Sequence, residues 1–313
     1  MTKKTAALLI GFGGPTQPSE VKGFIQSVLD SVSIPPARLQ EVLRHYEVIG
    51  GISPFNAVTF KQKEALERYF KSRSESLPVG VAFRHSTPTF KDAFETFKKF
   101  GIEKVVGTIL VTFRSFVSFE GYRQKLREGQ ALAKAKDMEI VYTDPFHRDA
   151  SYLDAQSDRV RKLWDTLSSQ DQKSAFVIYT AHSIPVAMCE KSCQENGGGC
   201  YGFQYDEVSR AVSKKLGFRN WSCAYQSRTG NPHQPWLGPD VKETVQGIDT
   251  RRFKSVLIVP LGFVTDNVEV IYDLDVEVKD LCVLRGLRYL RAPMVADHPK
   301  FIEMMGKHIL EKV

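Results

Sequence analysis

The chain has 313 residues, 42% of them apolar and 25% charged, with a formal net charge of +7. That length holds one large domain or two ordinary ones with a real core, and the balance excludes a disordered or collagen-like chain. No run approaches the eighteen apolar residues of a spanning helix, the basic charge is scattered without the Lys/Arg block of a nucleic-acid binder, and the opening "MTKKTAALLIGFGGP" is too short and glycine-broken for a secretory signal.

In chain order, apolar runs alternate with helical patterns. "TAALLI" (5–10) reads as a strand, followed by "SEVKGFIQSVLDSV", where Val21, Phe24, Ile25, Val28 and Leu29 recur with helical spacing. Ser19 stands where an N-cap belongs and Pro35-Pro36 closes the region. Further strands are expected at 79–83, 104–111 and 139–144, and a second set at 175–180, 223–227, 255–261 and 287–292. Strands this apolar, alternating with helices, form parallel sheets covered on both faces. The fold class is therefore α/β: two similar lobes, each a parallel four-stranded sheet flanked by helices, over residues 1–150 and 151–313. Ligands in such sheets sit beyond the carboxyl ends of the strands. An active-site cleft between the lobes would then be lined near 11–16, 84–86, 112–118, 181–185, 226–230 and 262–269.

Several stretches on that rim carry chemistry. "LLIGFGGPTQ" lacks both the third glycine of a dinucleotide fingerprint and the Gly-Lys-Ser/Thr of a phosphate loop. Gly13 and Gly14 instead permit close approach of a flat ligand, or simply a tight turn. His182 ends a buried-looking strand at the cleft, where a histidine exchanges protons near neutral pH or binds metal, a structural role being the alternative. In "FVTDNVEVIYDLDVEVKD" the acids Glu269, Asp273 and Glu277 fall at i, i+4 and i+8, and Asp266 extends the line toward the strand end. Like charges at that spacing repel, and a merely solvated face would mix in lysines. The row suits transport of protons or of a divalent cation. "YQSRTGNPHQPWLGPDV" (225–241), with Gln226, Ser227, His233 and Trp236, has the composition of a rigid binding loop with one aromatic wall. Cys189, Cys193 and Cys200 follow His182 as C-x3-C-x6-C, leaving Cys223 and Cys282 isolated. In a reducing compartment this clustering favours metal over disulfides. Zinc sites usually show C-x2-C pairs, so an iron–sulfur cluster suits the spacing at least as well, with reduced loop cysteines as the alternative.

Together these pieces resemble ferrochelatase, the family that inserts ferrous iron into a porphyrin to make haem. The resemblance runs from about residue 5 to 305 through "LLIGFGGP", "YEVIGGISP", "AFRHSTP", "TAHSIP", "YQSRTG", "PWLGPDV" and "FVTDNVEVIYDLD" in the family's order. It implies two Rossmann-like lobes and a lyase that forms nitrogen–metal bonds. His182 matches the family's active-site histidine and Glu269 the acid opposite it, as catalytic residues and ligands of the substrate Fe2+, one on each face of the porphyrin. Asp273 and Glu277 would continue a relay, while Phe12, Arg84, Ser183, Gln226, Trp236 and Asp266 would contact the porphyrin. Phenylalanine at 12 leans toward protoporphyrin IX over coproporphyrin III. One position departs: the family commonly has histidine two residues before the acid, and this chain has Asn267, which neither takes a proton nor replaces imidazole as a ligand.

Some family members also bind a [2Fe–2S] cluster. The resemblance implies Cys189, Cys193 and Cys200 as ligands here, with Cys223 as the fourth or Cys282 as its alternative. The protein is expected in the cytoplasm, with peripheral contact to the inner face of the membrane through Phe113, Arg114, Phe116 and Phe119. The rivals are a haem or metal carrier, an iron–sulfur sensor, and a chelatase for another tetrapyrrole.

Overall fold

The computed structural model describes residues 3–29, 36–195, 199–228 and 234–313; His233, Pro35 and most of the Gly-rich stretch before Cys200 lie outside them. Eight strands form two sheets. The first takes β1 (Thr5–Gly11), β2 (Val79–Phe83), β3 (Lys104–Ile109) and β4 (Glu139–Tyr142) in the order β2-β1-β3-β4. The second repeats that order as β6-β5-β7-β8, from β5 (Ala175–His182), β6 (Trp221–Gln226), β7 (Ser255–Pro260) and β8 (Arg288–Arg291). All six pairings are parallel. The eight predicted strands are all present, most with ends shifted by one to two residues. Strand β3 stops early because its last predicted residues, Leu110 and Val111, turn into a loop that lines the cleft.

The helices of the first half are α1 (Val21–Leu29), α2 (Pro36–Val48), α3 (Phe55–Lys71), α4 (Phe90–Lys99), α5 (Gly121–Leu132) and α6 (Ala150–Trp164). Those of the second are α7 (Ser169–Lys173), α8 (Val186–Glu195), α9 (Tyr201–Leu216), α10 (Val241–Gln246), α11 (Val268–Val270), α12 (Lys279–Leu284) and α13 (Pro299–Leu310). Between α11 and α12 the helix runs without a break through wide i→i+5 turns at Ile271–Val278. The expected cap at Ser19 is corrected. Pro18, whose fixed φ suits a first helical position, opens a 3-10 turn at Pro18–Glu20 that leads straight into α1.

Alternation along the central strands explains why their sequences are apolar throughout. Ala6, Leu8 and Ile10 face Phe90, Phe94 and Phe97 of α4 on the outer side, whereas Ala7 and Leu9 face inward. The inward residues join a core that also holds Val177, Tyr179, Leu257 and Val259 of the second sheet, so one apolar layer runs between the sheets. On the second sheet's outer side, Ile178, Val256 and Ile258 pack against Val245 of α10 and Val270, Leu274 and Val278 of the acidic helix. That packing aims the opposite face of the helix at the cleft. The last helix, α13, does not stay with the second sheet; it returns to pack against α3 and α6.

Both sheets reverse their strand order next to the first strand, and the loops after β1, β3, β5 and β7 converge at that reversal. The approach is tight at Gly262, where a Cβ would stand 2.8 Å from the Ala181 Cα and 3.1 Å from the His182 nitrogen. Backbone atoms cannot step aside for it, so Gly262→Ala is expected to cost about 1–3 kcal/mol. Urea unfolding would read this as a lower midpoint at unchanged slope; an unchanged midpoint would show that the two strand ends are free to part.

Candidate active site

The convergent strand ends enclose a cavity of about 1250 Å³, above the roughly 300–1,000 Å³ of ordinary small-molecule sites. His182, the last residue of β5, lies in its floor, in register with Gln226 of β6. Its Nε2 stands 3.3 Å from Oε1 of Glu269, and its Nδ1 contacts the Ser183 carbonyl. Three bonds hold the backbone around this pair. Tyr201 donates its hydroxyl to the His182 carbonyl at 2.9 Å, Gln226 donates its amide to the Glu269 carbonyl at 3.1 Å, and the Ser183 N–H donates to the Gln226 carbonyl at 2.8 Å. The Ser183 hydroxyl donates to the Leu237 carbonyl at 2.8 Å and so anchors the loop that brings Trp236 to the cavity. His182 and Glu269 therefore do not face one another across a flat ligand. They come from neighbouring strands of one sheet and meet on the same side, which corrects the opposed arrangement expected above.

The side chains of His182 and Glu269 keep 25% and 43% of their surface accessible, and both line the cavity. Burial alone would push the imidazole down, but the Glu269 charge and hydrogen bond, helped by the Ser183 carbonyl, outweigh it and raise His182 to about 9. Burial likewise pushes Glu269 up, and the His182 charge overrides it, holding the carboxyl below its ordinary range. At neutral pH the pair is an imidazolium–carboxylate contact. Burial, with the charges of Glu269 and Glu277, pushes Asp273 up to about 7, against an opposing hydrogen bond from Ser227. Glu269, Asp273 and Glu277 all line the cavity, with the wide turns of Ile271–Val278 between them. Wide turns of this kind recur at functional sites.

Asp266 is not part of this row. Arg291 holds its carboxylate at 2.8 Å and that of Asp275 at 2.7 Å, away from the cavity. From the first lobe, Phe12 lines the cavity with its ring 4.7 Å from His85 and 6.1 Å from Phe24. Arg84 lines it too, with its guanidinium 5.7 Å over Tyr122 and a buried Nε that has no hydrogen-bond partner among the described residues. Other lining residues went unread in the sequence. Val28 and Leu29 belong to the apolar stripe of α1, which reads as core, yet both face the cavity. His45 of α2 stacks on Tyr272 at 3.7 Å, tying the first lobe's helix to the acidic helix. Lys242 reaches Glu277 at 3.1 Å. The lysine has no sequence neighbour that would have flagged it.

A family model described as ferrochelatase matches residues 4–313. The chain belongs to the ferrochelatase family. It is 32% identical to the ferrochelatase of Rhodopirellula baltica over 98% of this chain and 85% of that one. It is 33% identical to the coproporphyrin III ferrochelatase of Propionibacterium freudenreichii subsp. freudenreichii over 99% and 88%. The solved sirohydrochlorin chelatase of Bacillus subtilis subspecies spizizenii, in complex with cobalt, shares the fold at a TM-score of 0.55 and 12% identity, over 98% of this chain and 94% of that one.

Asn267 serves the local backbone, since its Oδ1 accepts from the Val270 N–H at 3.1 Å and caps the start of α11. The cysteines do not fit the four-thiolate site expected of them. Cys200 is in hydrogen-bond contact with both Cys193 and Cys189, but Cys282 is buried on the far side of the second sheet among Val270, Leu274 and Val278. Cys223 lies on the same side as the trio, bonded to Ser209 and Tyr205, with Tyr225 standing between it and Cys189 and Cys200. Among the described residues no group of three or more His, Cys, Asp or Glu side chains is arranged to hold a metal ion. Of the residues expected to meet a membrane, Phe113 is corrected, being fully buried against Tyr201 and Tyr205, whereas Phe119 is half-buried under Arg114, which is paired with Glu120 at 2.9 Å. The side chain of Phe116 lies outside the described residues, and no described helix is long and apolar enough to cross a membrane.

The two shifted groups both make stability fall as the pH rises, over different windows. His182, raised above its unfolded value, adds stability that is complete below about pH 6.5 and fades as the pH passes about 9. Asp273, raised from 3.8 to about 7, makes the fold lose stability across that window as the pH rises. Asp273→Asn removes the second effect and, because the Asp273 charge helps to raise His182, a small part of the first. Its melting temperature relative to wild type is expected to climb by roughly 2–4 °C between pH 4 and pH 8, and an offset that is the same at both pH values would refute the assignment.

Proposed function

We propose that the chain inserts Fe2+ into a porphyrin, replacing two pyrrole N–H protons by the metal and releasing both. The observation that supports this reading best is the His182–Glu269 pair, fixed in the floor of a largely apolar cavity whose aromatic wall comes from the other lobe. A flat macrocycle matches that shape, and a neutral imidazole with a carboxylate is a good donor set for ferrous iron. Because His182 is protonated at neutral pH, it neither ligates nor accepts a proton until it sheds one. The approaching dication favours that loss, since metal binding and deprotonation of a ligand are linked. The proton leaves Nε2 toward Glu269 and then Asp273, whose value near 7 lets it both accept and donate, and Glu277 passes it to water. Pyrrole protons released as iron enters the ring follow the same acids. His182 and Glu269 share one side of the cavity, so metal delivery and proton removal occur at the same face of the porphyrin.

Phe12, with Val28 and Leu29, supports protoporphyrin IX as the substrate, since an apolar wall accepts vinyl-bearing edges without leaving carboxylates unpaired. A second reading, coproporphyrin III, is favoured by the Propionibacterium relative and by the three cations lining the cavity, Arg84, Arg228 and Lys242. The family's [2Fe–2S] cluster has no step in this scheme, which runs through His182 and the acid row alone.

Anaerobic incubation with Fe2+ and each porphyrin tests the reading, following free-porphyrin fluorescence. Many turnovers are expected, with the larger kcat/KM for protoporphyrin IX; stoichiometric binding without turnover would make the protein a carrier. His182→Ala is expected to lose at least about 10²-fold in kcat while binding porphyrin nearly as before. Asp273→Asn should lower kcat with little change in porphyrin affinity, and wild-type turnover in either variant would remove that residue from the path.

A further inference from the structure

An acidic row leading to a metal-insertion site can carry protons outward or a divalent cation inward. We infer that Lys242 closes the outer end of this row to divalent cations, so that the row passes protons only and iron reaches His182 and Glu269 through the open cavity. The inference rests on the metal-insertion reading above and assigns the row's cargo within it.

Three observations carry it. The Lys242 ammonium stands 3.1 Å from Oε2 of Glu277, and both side chains line the cavity. An ammonium has three donors and no lone pair, so it cannot join a coordination shell; it only repels an arriving dication. A proton path is not blocked in the same way, because protons can pass through the second Glu277 oxygen while the first stays on the ammonium.

The place of Lys242 in its own helix points the same way. It is the second residue of α10, in the first turn, where a cation opposes the helix dipole. Asp240 and Glu243 already form a reciprocal cap there, and the Lys242 N–H itself donates to Asp240 at 2.7 Å. Local helix chemistry therefore does not call for lysine at this position, and its partner lies on the neighbouring acidic helix.

The third observation is how the nearby acids are balanced. Glu269 meets His182 at 3.3 Å, Asp273 accepts from the Ser227 hydroxyl, and Glu277 meets Lys242. Asp266 and Asp275 are both held by Arg291 on the other side of the helix. Lys242 is therefore the cation at the Glu277 end of the row, and its ammonium has no lone pair to offer a metal.

The test titrates Mn2+ into the full chain without porphyrin, reading free Mn2+ by electron paramagnetic resonance. Lys242→Met is expected to bind Mn2+ about tenfold or more tightly than wild type, since one repelling charge is gone and Glu277 is released. Lys242→Arg should bind as wild type does, and Lys242→Met/Glu277→Gln should lose the gain. Unchanged affinity in Lys242→Met with an intact thermal melt would overturn the inference, as would a gain that survives in the double variant. Lys242→Gln replaces the Met variant if the latter fails to fold. The readout does not depend on chelation. A Mn2+ gain in a protein that metalates no porphyrin would leave the gate standing and remove the enzyme reading, whereas normal turnover with no gain would do the reverse.

Discussion

The contact between His182 and Glu269 is the constraint around which the cavity is organised. Two opposite charges 3.3 Å apart, both partly buried, hold together well only if the backbone that carries them is fixed. Tyr201, Gln226 and the Ser183 backbone do this from α9, β6 and the β5 exit. None of the three needs to touch a substrate for its loss to matter. Removing a positioning bond would leave a buried charge poorly paired, which costs more than the bond itself contributes. The same reasoning explains Gly262: the β7 exit must pass close against Ala181 and His182 for Glu269 to arrive within reach.

The repeated strand order divides the labour between the lobes. The exit of β1 and the exit of β5 occupy equivalent places in their sheets, yet one presents Phe12 and the other His182. The exits of β3 and β7 are likewise equivalent, and they present Phe113 and Ser115 in one sheet and Gly262, Asn267 and Glu269 in the other. The second lobe brings His182 and the acid row to the cavity, and the first brings Phe12 and Arg84 together with Glu41 and His45. Stacking of His45 on Tyr272 joins the two halves directly over the acidic helix.

The strands, their two groupings and the cleft rim were legible because a doubly covered parallel strand has a strong, short-range signature: a continuous apolar run closed by turn residues. His182 and the row Glu269, Asp273, Glu277 were legible for the same reason, since they sit at or just after such ends. What stayed hidden depends on contacts between distant segments. Asp266 reads as a member of the acid row until Arg291, twenty-five residues on, is seen to hold it. Val28 and Leu29 read as core because an apolar helix face looks the same whether it meets another helix or a cavity. The wide turns of Ile271–Val278 leave no mark in the i, i+4 spacing, which both helix types accommodate. Cys223 lies in β6 and Cys282 in α12, on opposite faces of the second sheet, and which face each occupies depends on the packing of distant elements.

Asn267 then acquires a chemical consequence. Two protons leave for each iron inserted, and a second imidazole beside the acid would be a natural acceptor for one of them. Asn267 cannot serve, because its amide does not titrate near neutral pH and its oxygen is committed to the Val270 N–H. The proton-accepting capacity must come from groups that are already part of the floor. His182 begins protonated and Glu269 is committed to it, so neither can take up a proton until the pair has discharged one. Asp273 is the group whose affinity for protons lies near neutrality, raised there by burial and by the acids on either side. Asn267 and Asp273 thus differ in kind, since only the carboxyl titrates near neutrality, and burial first and the like-charge crowding of the row second set it there.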